Sequence, residues 1–240
     1  MRKKIYLIPG TMCTEQLWSN LLPLLINSVA HHYEFVHVKI PKDKNLIQII
    51  TFLDSFFTED RAIIIGFSLG GYIASYFAAT YPQRVDKIFV IANSPCALNH
   101  KEIKQRQAIV KFINQHSYKG ISKARATQLL DSKKWTKEQL NQLVATIVNM
   151  DAKLGELEFV SQMQNTTHRT DLFEPLTRSS VASTYCYSKD DLLVNSSWLD
   201  KLQQANPRCQ MICISGASHM LVLEKPKELA IHIQTWLSTY

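Results

Sequence analysis

Ala62-Ile63-Ile64-Ile65-Gly66-Phe67-Ser68-Leu69-Gly70-Gly71-Tyr72 passes from a β-branched apolar run, through a serine flanked by glycines, into a small-residue stretch that reaches Tyr81. The first four residues show no in/out alternation, which is the pattern of a strand buried on both faces. The small apolar residues from Leu69 to Tyr81 suit a helix packed inside against a sheet. Letters alone make Gly66-x-Ser68-x-Gly70 a weak signal, since such a match arises by chance about once in a hundred chains of this composition. The strand before it and the helix after it supply a steric reason. A serine in that turn is lifted above the sheet, and flanking elements approach so closely that only glycine fits beside it. The helix that follows aims its first N–H groups at the hydroxyl, where they favour developing negative charge.

Outward from this turn the rhythm repeats. Further strand candidates are Ile5–Ile8, Phe35–Ile40, Lys87–Ala92, Ser183–Ser188 and Gln210–Ser215, with the first stretch completed as Ala62–Phe67. Between them lie helical patterns over Glu15–Ile26, Asn45–Phe57, Asn195–Gln204 and Pro226–Leu237, the last with proline at a first helical position. Alternating strands and helices predict an α/β, doubly wound and mostly parallel sheet. One region breaks the pattern. From about Pro95 to Leu176 no convincing strand occurs, and four helical patterns fill it: Lys101–His116, Gly120–Leu130, Thr136–Asn149 and Ala152–Asn165. The expected organisation is a core of residues 1–95 and 177–240 with a helical cap at 96–176. An insertion after a strand's carboxyl end lands where α/β sheets keep their ligands.

Composition bounds the alternatives. The chain has 240 residues, 46% hydrophobic and 20% charged, with no apolar run near the roughly 18 residues of a membrane span. Its start, MRKKIYLIPG, has only four apolar residues before Pro9, too few for a signal peptide. Five cysteines without a CxxC pair read as free thiols in a reducing compartment. A cytoplasmic protein without stable membrane insertion is the expectation. The net charge of +7 raises nucleic-acid binding. The basic residues are scattered, many between Lys101 and Lys137, and read as a solvated helical face rather than a nucleic-acid surface.

A serine hydroxyl needs a base, and the base an orienting acid. In this architecture the chain order is nucleophile, acid, base. His219 follows the last strand in Ser215-Gly216-Ala217-Ser218-His219, on the rim that carries Ser68. The other seven histidines lie on early strands, around the insertion or inside the last helix. The acid belongs after Ser183–Ser188, where Asp190 and Asp191 compete. Two backbone N–H groups must hold an oxyanion. One is that of Leu69. The other comes from the loop Ile8-Pro9-Gly10-Thr11-Met12-Cys13-Thr14, from Thr11 or Met12. Cys13 reads as packing. Phe67, Trp135, Met163 and Met220 are the candidates for lining an apolar acyl pocket, with Phe112, Leu129, Leu143, Met150 and Phe159 as further apolar side chains of the insertion.

These pieces resemble the α/β-hydrolase superfamily, specifically its small capped bacterial esterase-like members. The resemblance rests on IPGTMCTEQLW (8–18), IIIGFSLGGYIASYFAATYPQRV (63–85), YSKDDLLV (187–194) and GASHMLVLEKPKEL (216–229), and covers about two-thirds of the chain, not the cap. By position it implies Ser68 as nucleophile and His219 as base. The family's Gly-x-x-Asp pattern falls on Ser188 to Asp191 and so selects Asp191 as acid. Thr11 and Leu69 fall on the oxyanion positions, with Met12 the alternative where Pro9-Gly10 replaces the usual His-Gly. The fold's usual first two strands are expected to be absent. The implied activity is cleavage of carboxylic esters through an acyl-enzyme, with no metal or organic cofactor. The substrate would be a small-molecule ester, or one borne by an anionic acyl carrier or CoA. A lyase, a C–C hydrolase and a cofactor-free haloperoxidase are the other chemistries the scaffold allows.

Overall fold

The computed structural model describes residues 2–238. Six strands form one sheet: β1 (Lys3–Ile8), β2 (Tyr33–His37), β3 (Ala62–Phe67), β4 (Val85–Ile91), β5 (Ala182–Ser188) and β6 (Cys209–Ile214). Their spatial order is β2-β1-β3-β4-β5-β6, and all five pairings are parallel.

The ten α-helices among the described residues are α1 (Leu22–Val29), α2 (Leu46–Phe56), α3 (Leu69–Thr80), α4 (His100–His116), α5 (Lys123–Thr127), α6 (Lys137–Thr167), α7 (Phe173–Thr177), α8 (Ser196–Ala205), α9 (Leu221–Glu224) and α10 (Pro226–Ser238). Strand periodicity of two divides the core between the two faces. Ile5 and Leu7 of β1 pack with Leu25 of α1 and Ile233 and Trp236 of α10. Tyr6 and Ile8 pack on the other face with Ile49 and Leu53 of α2, Ile73 and Phe77 of α3 and Leu199 of α8. Both faces are covered, which is why the strands lack polar alternation.

The insertion between the adjacent strands β4 and β5 is helical, comprising α4 to α7. Its internal divisions differ from expectation. The two helices expected at Thr136–Asn149 and Ala152–Asn165 run together as α6, and the break falls at Gly155 (φ 74°). Nothing between Asn149 and Ala152 interrupts a helical backbone, whereas a left-handed glycine does. The expected Gly120–Leu130 helix shrinks to α5, because Ser122 caps it by accepting from the Arg125 N–H. The expected Glu15–Ile26 helix is split into a 3-10 turn at Glu15–Trp18 and α1, with Pro23 in α1's first turn.

Candidate active site

Ser68 sits between β3 and α3 at φ 50°, ψ −115°, a left-handed conformation that costs an L-residue energy and persists only where the surroundings enforce it. The enforcement is visible in the glycines. A Cβ on Gly66 would stand 2.3 Å from the Gly70 carbonyl oxygen, and one on Gly70 would stand 2.1 Å from that of Ile8. The turn, the helix start and the β1 loop are therefore in backbone contact. The Ser68 N–H donates to the Ile91 carbonyl at 2.8 Å, tying the turn to the end of β4.

Three side chains from distant segments meet there. His219 Nε2 lies 3.0 Å from Ser68 Oγ, and its Nδ1 lies 2.8 Å from Asp191 Oδ2. His219 and Asp191 are buried. The second carboxylate oxygen of Asp191 accepts from the Leu193 N–H at 2.9 Å, which fixes the carboxylate plane. Asp190 is exposed, and its N–H bonds the Ser188 hydroxyl at 3.3 Å. Of the two adjacent carboxylates, Asp191 is the one in contact with His219. The Ser188 hydroxyl donates to the Ala217 carbonyl, joining the Asp191 loop to the His219 loop.

The loop after β1 closes the other side. Gly10 lies so close to Ser68 that a Cβ there would be 3.1 Å from that of Ser68. Gly10 to Cys13 form a turn closed by the Cys13 N–H to the Gly10 carbonyl at 3.2 Å, with Met12 at φ 54°. The Met12 N–H donates to Gln162 Oε1 of α6 at 2.9 Å, and Gln162 Nε2 donates to Glu158 at 2.8 Å. The Met12 N–H is thus already taken up by a side chain of α6. Desolvation pushes the Cys13 thiol up to about 12, so it stays protonated and un-nucleophilic near neutral pH.

A cavity of about 520 Å³ opens over these groups. Phe67, Ser68, His219, Met220 and Thr11 form its floor, and Leu129, Ile147, Met150, Phe159 and Met163 of the insertion form apolar walls. Three of the four expected pocket residues, Phe67, Met163 and Met220, are brought there. Trp135 is not, and the expectation for it is corrected. Its indole N–H donates to Glu224 Oε1 at 3.3 Å, and the ring faces a separate cleft with Leu143. The rule that a large apolar side chain in the insertion faces the ligand failed because the indole has a buried carboxylate to satisfy. Phe112 is turned to solvent.

Glu224 stands in the sequence only as part of the Glu224-x-Pro226 stretch before the last helix, where the resemblance gives it no role. It is buried, with one oxygen accepting from the Ser218 N–H (2.8 Å) and the other from the Asp131 N–H (2.7 Å) as well as from Trp135. Burial raises its pKa, opposed by these three donors. Ser218 directly precedes His219, so this carboxylate joins the His219 loop to the insertion. Met220 adds a bond from its N–H to the Leu129 carbonyl at 3.1 Å. The signal available was the spacing of Glu224, five residues after His219 and just before the last helix.

Comparison with known proteins identifies the family and the fold. The family model described as alpha/beta hydrolase fold matches residues 56–226. The chain belongs to the alpha/beta hydrolase family. It is 20% identical over 98% of its length to the biotin biosynthesis bifunctional protein BioHC of Teredinibacter turnerae, and spans 45% of that protein's length. Among solved structures it resembles a carboxylesterase of the ammonia-oxidizing thaumarchaeon Nitrososphaera gargenis, with a TM-score of 0.78 at 19% identity, covering 99% of this chain and 90% of that one. It also resembles a thermophilic esterase of Thermogutta terrifontis, with a TM-score of 0.79 at 13% identity, covering 98% and 89%. At these identities the structural matches establish the fold. Among the described residues no cluster of three or more His, Cys, Asp or Glu is placed to hold a metal ion, and no helix is long and apolar enough to cross a membrane.

Proposed function

We propose that this alpha/beta hydrolase cleaves carboxylic esters, with Ser68 as nucleophile, His219 as general base and Asp191 as the group that orients and stabilises the imidazole. The observation that carries the reading is the unbroken chain of contacts from Ser68 Oγ to His219 Nε2 at 3.0 Å and from His219 Nδ1 to Asp191 Oδ2 at 2.8 Å. As Ser68 attacks the ester carbonyl, His219 takes the hydroxyl proton. The Asp191 carboxylate accepts from Nδ1–H, which leaves Nε2 unprotonated and ready to act. His219 then hands the proton to the departing alkoxide, and water, deprotonated by the same nitrogen, releases the acid from the acyl-enzyme.

The oxyanion is held by the N–H groups of Leu69 and Thr11. The engagement of the Met12 N–H with Gln162 favours Thr11 over Met12. Gln162 thereby fixes the turn that presents the Thr11 peptide. The apolar walls suit an acyl group, with Phe67, Met163 and Met220 against it and the insertion, residues 96–176, acting as a cap.

The test is hydrolysis of a p-nitrophenyl ester series of graded acyl length. Ser68→Ala is expected to abolish turnover while its thermal melt stays that of the parent. Equal turnover by the variant would remove the reading.

A further inference from the structure

We propose that the face surrounding the cavity mouth docks on a lipid surface carrying anionic headgroups. The inference concerns adsorption, and stands or falls separately from the hydrolytic reading. Three observations carry it.

The first is where the charge lies. Residues 100–125 contain seven Lys or Arg and one Asp or Glu, a net of +6. The whole chain carries +7, so the other residues are nearly neutral, at +1. The cationic stretch is α4, the loop after it and α5. Its single acid, Glu102, is already paired with Arg106 at 2.9 Å. The second is that this same stretch frames the cavity. Arg106, Ile109, Tyr118 and Arg125 all line it.

The third is apolar exposure at the same place. Ile109 is 44% exposed and Leu193, on the loop after β5, is 53% exposed, yet both line the cavity. They therefore mark its opening from two sides. Beside them Phe112 is 60% exposed one helical turn along α4, and Leu192 is 97% exposed next to Leu193. Large apolar side chains that protrude among lysines are costly in water. They are the pattern of a helix lying in a membrane interface, with apolar tips inserted and lysines reaching the headgroups.

An acidic protein is the other class of partner that positive charge admits. The protruding Phe112 and Leu192 favour lipid, because they offer no recess for a partner's side chain. Cations spread over α4, a loop and α5 match a diffuse negative surface better than a set of discrete carboxylates. Docked in this way, the opening between Ile109 and Leu193 faces the acyl layer, and an apolar substrate reaches the cavity without crossing water.

The test is co-sedimentation of the full-length Ser68→Ala protein, which consumes no lipid, with vesicles of phosphatidylcholine alone or with about one-third phosphatidylglycerol. The expected result is binding to the anionic vesicles, weaker by at least about tenfold for neutral ones. Lys101→Gln/Lys104→Gln/Lys111→Gln and, separately, Phe112→Ser/Leu192→Ser are each expected to lose about tenfold in partitioning with an unchanged melt. None of these five residues lines the cavity. Four outcomes overturn the proposal: no sedimentation with either vesicle, equal sedimentation with both, variants that bind like the parent, or salt-sensitive retention on immobilised polyglutamate without vesicle binding.

Discussion

Replacing Glu224 by glutamine probes how the base is held. In the parent, one carboxylate oxygen takes the Ser218 N–H and the other takes both the Asp131 N–H and the Trp135 indole. A glutamine has one acceptor oxygen, and its NH₂ cannot accept. If that oxygen stays with the two donors of the insertion, the part-buried Ser218 N–H is left without its partner. A buried donor without an acceptor costs about 1–3 kcal/mol, and the part-burial here sets about 2 kcal/mol as the upper bound. At about 2–4 °C of melting temperature per kcal/mol for a chain of this size, a 2 kcal/mol loss lowers the melt by about 4–8 °C. The residue next to the freed N–H is His219. A displacement of order 1 Å at that ring lowers kcat by about 100-fold. Glu224 does not line the cavity, so KM is expected to stay within a few-fold. The assay is steady-state hydrolysis of a short p-nitrophenyl ester beside a thermal melt, with Glu224→Ala as a second variant expected to be worse in both. A Glu224→Gln protein with parental kcat, or one whose loss lies wholly in KM, would refute the idea that this carboxylate positions the base.

Further expectations follow from the same geometry. Asp191→Asn turns an acceptor toward His219 Nδ1 into a donor, which favours the tautomer with a proton on Nε2. The expected fall in kcat is of order 10⁴-fold with the melt little changed, and a loss under tenfold would contradict the assigned role. Gly70→Ala places a Cβ 2.1 Å from the Ile8 carbonyl oxygen, against backbone that cannot step aside. A loss of about 1–3 kcal/mol or more is expected by denaturant titration, together with lost activity, whereas a neutral result would show that the turn and the β1 loop are not in contact. The raised pKa of Glu224 gives a signed pH effect. A carboxyl with a higher pKa folded than unfolded costs stability as pH rises through its unfolded value of about 4.3 toward the folded one. Glu224→Gln lacks this slope, so the melting gap between parent and variant should narrow from pH 4 to pH 7; a widening gap would reverse the sign.

The sheet was legible because its signals are local. Continuous β-branched runs such as Ile63 to Ile65 can be satisfied only by burial on two faces, and the glycines around Ser68 are demanded by backbone contact that any sequence with this turn must meet. The proximity of His219 to Ser68 was legible from its place after the last strand. Which carboxylate meets His219 was not, from the residues alone: Asp190 and Asp191 differ by one position, and only the loop's direction after Ser188 decides which of them turns inward. Trp135 was misplaced because its hydrogen-bond partner, Glu224, lies 89 residues away in sequence. For the same reason the Glu224-x-Pro226 motif carried no role for Glu224, since its three donors come from two loops brought together only by the fold. Most of the insertion was legible as helix, but its breaks were set by Ser122 and Gly155 rather than by the apolar pattern, and the short α7 was not among the expected helices.

Covalent capture of the serine tests the central claim most directly. The protein would be treated with a fluorophosphonate and examined by intact mass and peptide mapping. The account predicts one adduct, on the peptide containing Ser68, absent in Ser68→Ala and slowed by orders of magnitude in His219→Ala. Labelling that survives Ser68→Ala, or labelling of Ser68 that does not depend on His219, would contradict it.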